Sequence, residues 1–348
     1  MDFGVFCEQM RRGVSQTDAF QEISDLVDAA EAWGLDIVWL AEMMVNPSRS
    51  VLSAPLLVSS WAVARTKRLR VGTAVQLLPL NHPVRVAGEI TTLDHLSQGR
   101  FDFGIGRSGS VRTYDVLEIP YAESQARFEE ALAIMRQAWK GEPFAHEGKF
   151  YRFDTTTVTP RPYQQPHPPL RMAANSPETF VLVGRAGLPL FAGLRDLGIA
   201  ELRDHVKEYR AAWRAAGHRG NGDVCLRIPV YAAPTERAAR EEPYENTTYF
   251  FKRHFELTRE RAGRADTGPA GRAETRVQQL AALSYDDILD SRVAYGTAAS
   301  LKERLAHLRD DLGLDGIIAE LNPGGLLAMD QMRRTLAILT QHVLPALR

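Results

Sequence analysis

Residues Leu69–Ser110 read LRVGTAVQLLPLNHPVRVAGEITTLDHLSQGRFDFGIGRSGS. They place three elements almost without slack. Val71–Gln76 is a short β-rich run behind a basic turn. Pro83 opens a helix, a position where its missing N–H costs nothing. Val86, Ile90, Leu93 and Leu96 give that helix one apolar stripe at three- and four-residue spacing. Gly99 closes it, and Phe101–Ile105 is the next buried strand. Strand, helix, strand with tight joints is a βαβ unit, and such units build parallel sheets. Both strands end in unusual chemistry, Leu-Pro-Leu-Asn-His-Pro after the first and Gly-Ile-Gly-Arg-Ser after the second. The C-terminal ends of parallel strands are where α/β folds keep their sites.

The same alternation extends in both directions. Phe3–Cys7, Asp36–Ala41, Leu170–Ala174, Pro189–Ala192, Val224–Ala232 and Gly316–Glu320 read as six further strands. Helical patterns separate them, the first with Thr17 as its cap and the clearest over Glu123–Trp139. Eight βα units in one chain predict a single (β/α)8 TIM barrel over residues 1–348. Two excursions are expected. Residues 143–169, rich in proline and threonine, are read as an insert containing a hairpin. Residues 241–292 are polar, Arg-rich and the least regular part, which reads as a mobile lid. A loop is expected from Arg107 to about Pro120.

With 348 residues and 45% hydrophobic content, the chain can build a large core. Its 42 basic and 43 acidic residues leave a net charge of −1, which offers no general attraction to nucleic acid or to an anionic membrane. Cys7 and Cys225 lie in apolar runs and read as two core thiols of a reducing compartment. Met1–Met10 carry two acids and no basic residue, unlike a secretory leader, so a cytoplasmic location is expected. The histidines show no paired metal spacing.

Gly104-Ile-Gly106-Arg-Ser-Gly109 matches G-x-G-x-x-G, but it follows the fourth strand and precedes a loop. A dinucleotide site needs it after the first strand and opening a helix. A better use of these residues is to let a flat ligand lie against the backbone while Arg107 grips an anion. Ser176 and Thr179, in the first turn of the helix after the fifth strand, can supply the second half of such a grip. Each alone also reads as an ordinary capping residue; two anion-friendly sites on adjacent strand ends shift the reading towards the grip. His82 is either a proton-handling residue or a histidine satisfied at a helix start. Glu42 is either an active-site acid or a salt-bridged carboxylate.

With GTAVQLLPLNHPVRVAGEITTLDHLSQGRFDFGIGRS, the chain resembles the luciferase-like flavin-dependent monooxygenases. WLAEMM, RMAANSPETF and YGTAASLKERL extend the resemblance over nearly the whole chain. It implies a TIM barrel that binds FMN at the C-terminal face and forms a homodimer through the helices at 53–65 and 83–98. Residue by residue, it implies a cis peptide at Ala74-Val75 beside the flavin and Gly106 against the ring. Arg107, Ser176, Thr179 and Arg127 would hold the phosphate. Glu42, Ala173 and Asn175 would line the ring pocket, His82 would be an active-site histidine, and the lid would fall at 250–292. Met43 and Met44 replace two histidines of the luciferases, and a thioether cannot take a proton. The implied activity is oxygenation of a small organic substrate by O2 and reduced FMN: hydroxylation, epoxidation or Baeyer–Villiger insertion. A separate flavin reductase and a tailoring role in natural-product biosynthesis are part of that expectation. Two alternatives stay open: F420-dependent hydride transfer on the same barrel, and a non-catalytic flavin-binding subunit.

Overall fold

In the computed structural model, residues 1–8, 10–262 and 270–347 are described. The strands are β1 (Asp2–Cys7), β2 (Ile37–Leu40), β3 (Arg70–Leu77), β4 (Phe101–Gly106), β5 (Phe144–Glu147), β6 (Arg152–Thr156), β7 (Leu170–Ala173), β8 (Leu190–Gly193), β9 (Val224–Ala232), β10 (Ala294–Gly296) and β11 (Gly316–Glu320). Eight of them pair in parallel in the order β1-β2-β3-β4-β7-β8-β9-β11. Pairing of β11 with β1 closes the ring. This is the predicted TIM barrel, with the eight strands placed where the alternation puts them.

Side chains alternate across the wall. Val5, Val38, Val71, Phe103, Met172, Leu190 and Ile317 point outward into the main core under the helices. Phe6, Trp39, Phe191, Cys225 and Ile318 point inward and form a second cluster that fills the barrel. Trp39 and Phe191 meet edge to face at 4.7 Å. A Cβ on Gly72 would fall 2.3 Å from Cζ3 of Trp39, so the indole takes the volume that β3 leaves empty. Truncating either aromatic to alanine should cost about 3–5 kcal/mol.

Local differences from the sequence reading have local causes. Ser15, not Thr17, caps the helix Gln16–Ala32, because its hydroxyl accepts from the Asp18 N–H at 3.1 Å. Leu96 is 63% exposed, at the edge of its helix rather than under it. The loop after Arg107 contains a short helix, Val111–Val116, pinned by the fully buried Tyr114.

The described part of 241–292 is also regular, with helices Tyr244–Ala262, Ala270–Ala281 and Tyr285–Ser291. Ala, Arg, Glu and Gln are strong helix formers, so sparse apolar residues did not mean irregular backbone. Phe250, Phe251, Ile288 and Val293 give the region a small core of its own. Residues 263–269, the centre of the expected lid, lie outside the described residues.

β5 and β6 form an antiparallel pair that leans on the helix Ser124–Ala138. The Glu130 carboxylate accepts from the backbone N–H groups of Phe150 (3.1 Å) and Tyr151 (2.9 Å). That clamp brings the Tyr151 ring edge-on to His82, at 5.3 Å, on the barrel rim.

Candidate active site

The inner face of the barrel changes character around the C-terminal mouth. Small residues recur towards the mouth on β3, β4, β7 and β8, at Ala74-Val75, Gly106, Ala173 and Gly193, and Ala41 follows the end of β2. Ala74, Val75 and Ala173 are half-buried and sit on the inner aromatic cluster, so they form the floor of an open, apolar half. The Ala74–Val75 peptide is cis, and the β3–β4 pairing breaks register between Thr73 and Gln76 at the same point. A Cβ on Gly106 would meet Val75 Cγ2 at 2.5 Å. A surface this flat suits a planar aromatic group.

Polar groups border the floor. β4 and β7 are hydrogen-bonded neighbours, so Arg107 and Ser176, just beyond their ends, stand on adjacent rims. Arg107 is half-buried, its Nη1 donating to Ser124 Oγ at 3.4 Å, while Tyr114 Oη donates to the Arg107 carbonyl. Ser176 occupies the N-cap of the helix Pro177–Arg185, yet its hydroxyl pairs with Thr179 Oγ1 at 2.9 Å rather than capping a backbone N–H. Two hydroxyls at a helix N-terminus, on the rim next to one that carries a guanidinium, are chemically suited to a phosphate. Asn175 is exposed beside them. Arg127 is turned to Glu123, at 2.8 Å, with its guanidinium over the Phe150 ring at 4.4 Å.

Glu42 is buried just past β2. One carboxylate oxygen accepts from Leu77 N–H at 2.6 Å and Gln76 Nε2 at 2.8 Å. Burial raises its pKa to about 7, and the bonds from Leu77 and Asn81 only partly oppose that rise. His82, the residue after Asn81, is exposed at the N-cap of the helix Pro83–Ser97. Met43 and Met44 follow Glu42 at the same rim. Among the described residues no group of three or more His, Cys, Asp or Glu could hold a metal ion.

The rest of the mouth is charged. By the two-residue alternation Glu8, Arg227 and Glu320 continue the inner faces of β1, β9 and β11. Arg227 pairs with both oxygens of Glu320, at 2.9 and 2.5 Å, and with Glu8 at 3.2 Å, and it lies 3.6 Å above the Phe6 ring.

This constellation sits on a closed parallel barrel, and a model of the luciferase-like monooxygenases matches residues 1–316. The chain belongs to that family. Among its relatives, the oxygenase component of a flavin-dependent trigonelline monooxygenase from Acinetobacter baylyi is 27% identical over 255 residues, 72% of this chain and 70% of that protein. The monooxygenase RslO1 from Streptomyces bottropensis superposes with a TM-score of 0.82 at 25% identity, covering all of both chains. An F420-dependent tetrahydromethanopterin reductase from Methanopyrus kandleri shares the barrel as well, with a TM-score of 0.73 at 18% identity over 100% of this chain and 99% of that one. The fold alone therefore does not choose between flavin and deazaflavin chemistry.

For this member of the luciferase-like family the sequence reading named the rim residues but missed their supports. Tyr114 and Ser124 orient Arg107, and Gln76 and Asn81 surround Glu42. The ionic half of the mouth was missed too. Glu8 and Glu320 end their strands in sequence, but no local pattern names their partner 219 and 93 residues away.

Proposed function

We propose that this chain is the oxygenase of a two-component system, using reduced FMN and O2 to oxygenate a small organic substrate. The observation that carries the reading is the flat small-residue floor of Ala74, Val75, Gly106 and Ala173, bordered by Arg107, Ser176 and Thr179 on adjacent rims. Such a surface fits an isoalloxazine ring and a phosphate tail. FMN, when bound there, supplies the electrons that activate O2.

The residues of the chain have three tasks. Arg107 and the Ser176–Thr179 hydroxyls anchor the phosphate, and Arg127 and Asn175 are assigned a supporting part. Gly106 and the Ala74–Val75 segment set the ring plane. Glu42 manages a proton: a carboxyl with a pKa of about 7 can give or take one near neutrality. It fills a role that Met43 cannot. His82, on the solvent side of the same rim, is assigned the exchange of that proton with water. We also assign to residues 241–292 the part of a lid that excludes water from the mouth.

The sequence contains no dinucleotide site of its own, so reduced flavin would come from a separate reductase. Leu57, Trp61 and Leu96, exposed on the helices Pro55–Arg65 and Pro83–Ser97, support a homodimer through that face. No helix among the described residues is long and apolar enough to cross a membrane. Together with two free, buried cysteines this fits a cytoplasmic enzyme, and a tailoring role in secondary metabolism is compatible with it.

The test is reconstitution with FMN and with F420, followed by oxygen uptake when the flavin is reduced photochemically. Saturable FMN binding with oxygen-dependent turnover of an organic substrate supports the assignment. Hydride transfer from reduced F420 without oxygen consumption would replace it.

A further inference from the structure

Glu8, Glu320 and Asp196 meet three guanidiniums at the ionic half of the mouth, and one of the three, Arg195, makes only a loose ionic contact. Glu8 and Glu320 are buried and need countercharge. Arg227 supplies it to both, through three hydrogen bonds, and Arg49 forms an ion pair with Glu8. Arg195, two residues beyond the end of β8, is not needed for that balance. Its guanidinium donates no hydrogen bond among the described residues; its nearest ionic contact is Asp196 Oδ2, 3.7 Å from Nε. The other oxygen of Asp196 accepts from His254 Nε2 at 2.8 Å.

Arg195 is nevertheless held firmly. Arg292 Nη1 donates to the carbonyls of Leu194 (3.3 Å) and Arg195 (3.2 Å), and Arg276 Nη1 donates to the Asp196 carbonyl at 2.8 Å. A third of its side chain is open to solvent, while Nε is fully enclosed and without a partner. Unspent donors in a confined position are costly, and native structures keep few of them. Arg49 and Arg227 lie near enough for all three guanidiniums to hold Glu8 well below the usual carboxylate range despite its burial.

We infer that Arg195, backed by Arg49 and Arg227, receives a carboxylate of the substrate, so the molecules oxygenated are organic acids. A planar guanidinium fork matches a carboxylate with two parallel hydrogen bonds. The receptor stands on the rim that follows the small-residue floor around the barrel, with Phe6 shared between the floor's cluster and the Arg227 guanidinium. It stands on the β8 rim, next to the β7 rim that carries Ser176 and two strands from the β4 rim that carries Arg107, so the FMN titration below separates it from the phosphate clasp. Burial lowers the proton affinity of Arg195; Asp196 and Glu8 oppose that shift while Arg227 and Arg49 add to it, and an incoming anion would offset the repulsion among the three guanidiniums. The word substrate rests on the oxygenase reading; the anion site itself does not.

The experiment is calorimetric titration of the full-length protein with benzoate and hexanoate, and with the uncharged benzamide and hexanamide. At least one carboxylate should bind saturably and about tenfold or more tighter than its amide. Arg195→Gln should abolish that preference while leaving FMN affinity within about twofold. If the glutamine variant does not fold, Arg195→Lys decides, since it keeps the charge beside Asp196 and loses the fork; weaker carboxylate binding supports the site. No saturable carboxylate binding, equal binding of acid and amide, or indifference to the Arg195 variants overturns the inference. Carboxylate binding without FMN binding would remove the oxygenase reading and leave the acid site standing. FMN binding without carboxylate binding would do the reverse.

Discussion

Gly106 and Val75 are locked together across the β3–β4 junction: a methyl group on the first would stand 2.5 Å from Cγ2 of the second. Valine is branched at Cβ and rotates poorly out of the way. Gly106→Ala should therefore destabilise the protein by about 1–3 kcal/mol through overpacking. It should also weaken FMN, because the displaced Val75 belongs to the floor. Denaturant unfolding and a flavin fluorescence titration read the two effects separately. A variant of unchanged stability and affinity would show that the floor tolerates relief, and the ring plane would need another explanation.

Arg107 should carry much of the phosphate affinity. Arg107→Ala is expected to weaken FMN by about 1.5–3 kcal/mol, the range for a hydrogen bond to a charged group. Tyr114→Phe keeps the ring but removes the hydroxyl that holds the Arg107 carbonyl. Its cost should be smaller, about 0.5–1.5 kcal/mol. Equilibrium dialysis against FMN orders the two; an Arg107 variant that binds normally takes that residue out of the clasp.

Glu42 should make stability depend on pH in one direction. Its carboxyl titrates at about 7 when folded against 4.5 in a model peptide. The unfolded chain therefore releases this proton more readily, and stability falls as pH rises from about 4.5 to about 7. The shift corresponds to about 3 kcal/mol. Glu42→Gln should remove that decline, so it gains on the wild type at pH 8 relative to pH 5. Unfolding midpoints at the two pH values check the sign. If Glu42 is also the proton manager, the same variant loses its oxygenase turnover while still binding FMN.

The exposed face of Leu57, Trp61 and Leu96 gives a test of assembly. Leu57 is 73% exposed, so Leu57→Glu should leave the folded chain within about 0.5 kcal/mol of its stability. A homodimer through this face should dissociate, as read by sedimentation. A variant that stays dimeric places the interface elsewhere.

Much of the architecture was legible because its signals are local. Proline at the start of the helix Pro83–Ser97, and the run Phe101–Ile105 behind Gly99, are decided by neighbours a few residues away. The rim candidates Glu42, His82, Arg107 and Ser176 were legible for the same reason, since a strand end marks them. Two misreadings share one cause as well. The segments after Arg107 and from 241 onward looked irregular because apolar pattern was sparse, yet Tyr114 alone pins one and good helix formers build the other.

The sequence by itself determined the eight strands, their parallel closure and the residues at their ends, because strand alternation and helix punctuation are short-range physics. Only the tertiary structure decided what those residues meet. Arg227 reaches Glu8 across 219 residues, Leu77 and Gln76 surround Glu42, and Arg195 Nε is enclosed without a hydrogen-bond acceptor. Such pairings depend on the stagger with which the barrel closes, a property of all eight strands at once and of no single stretch.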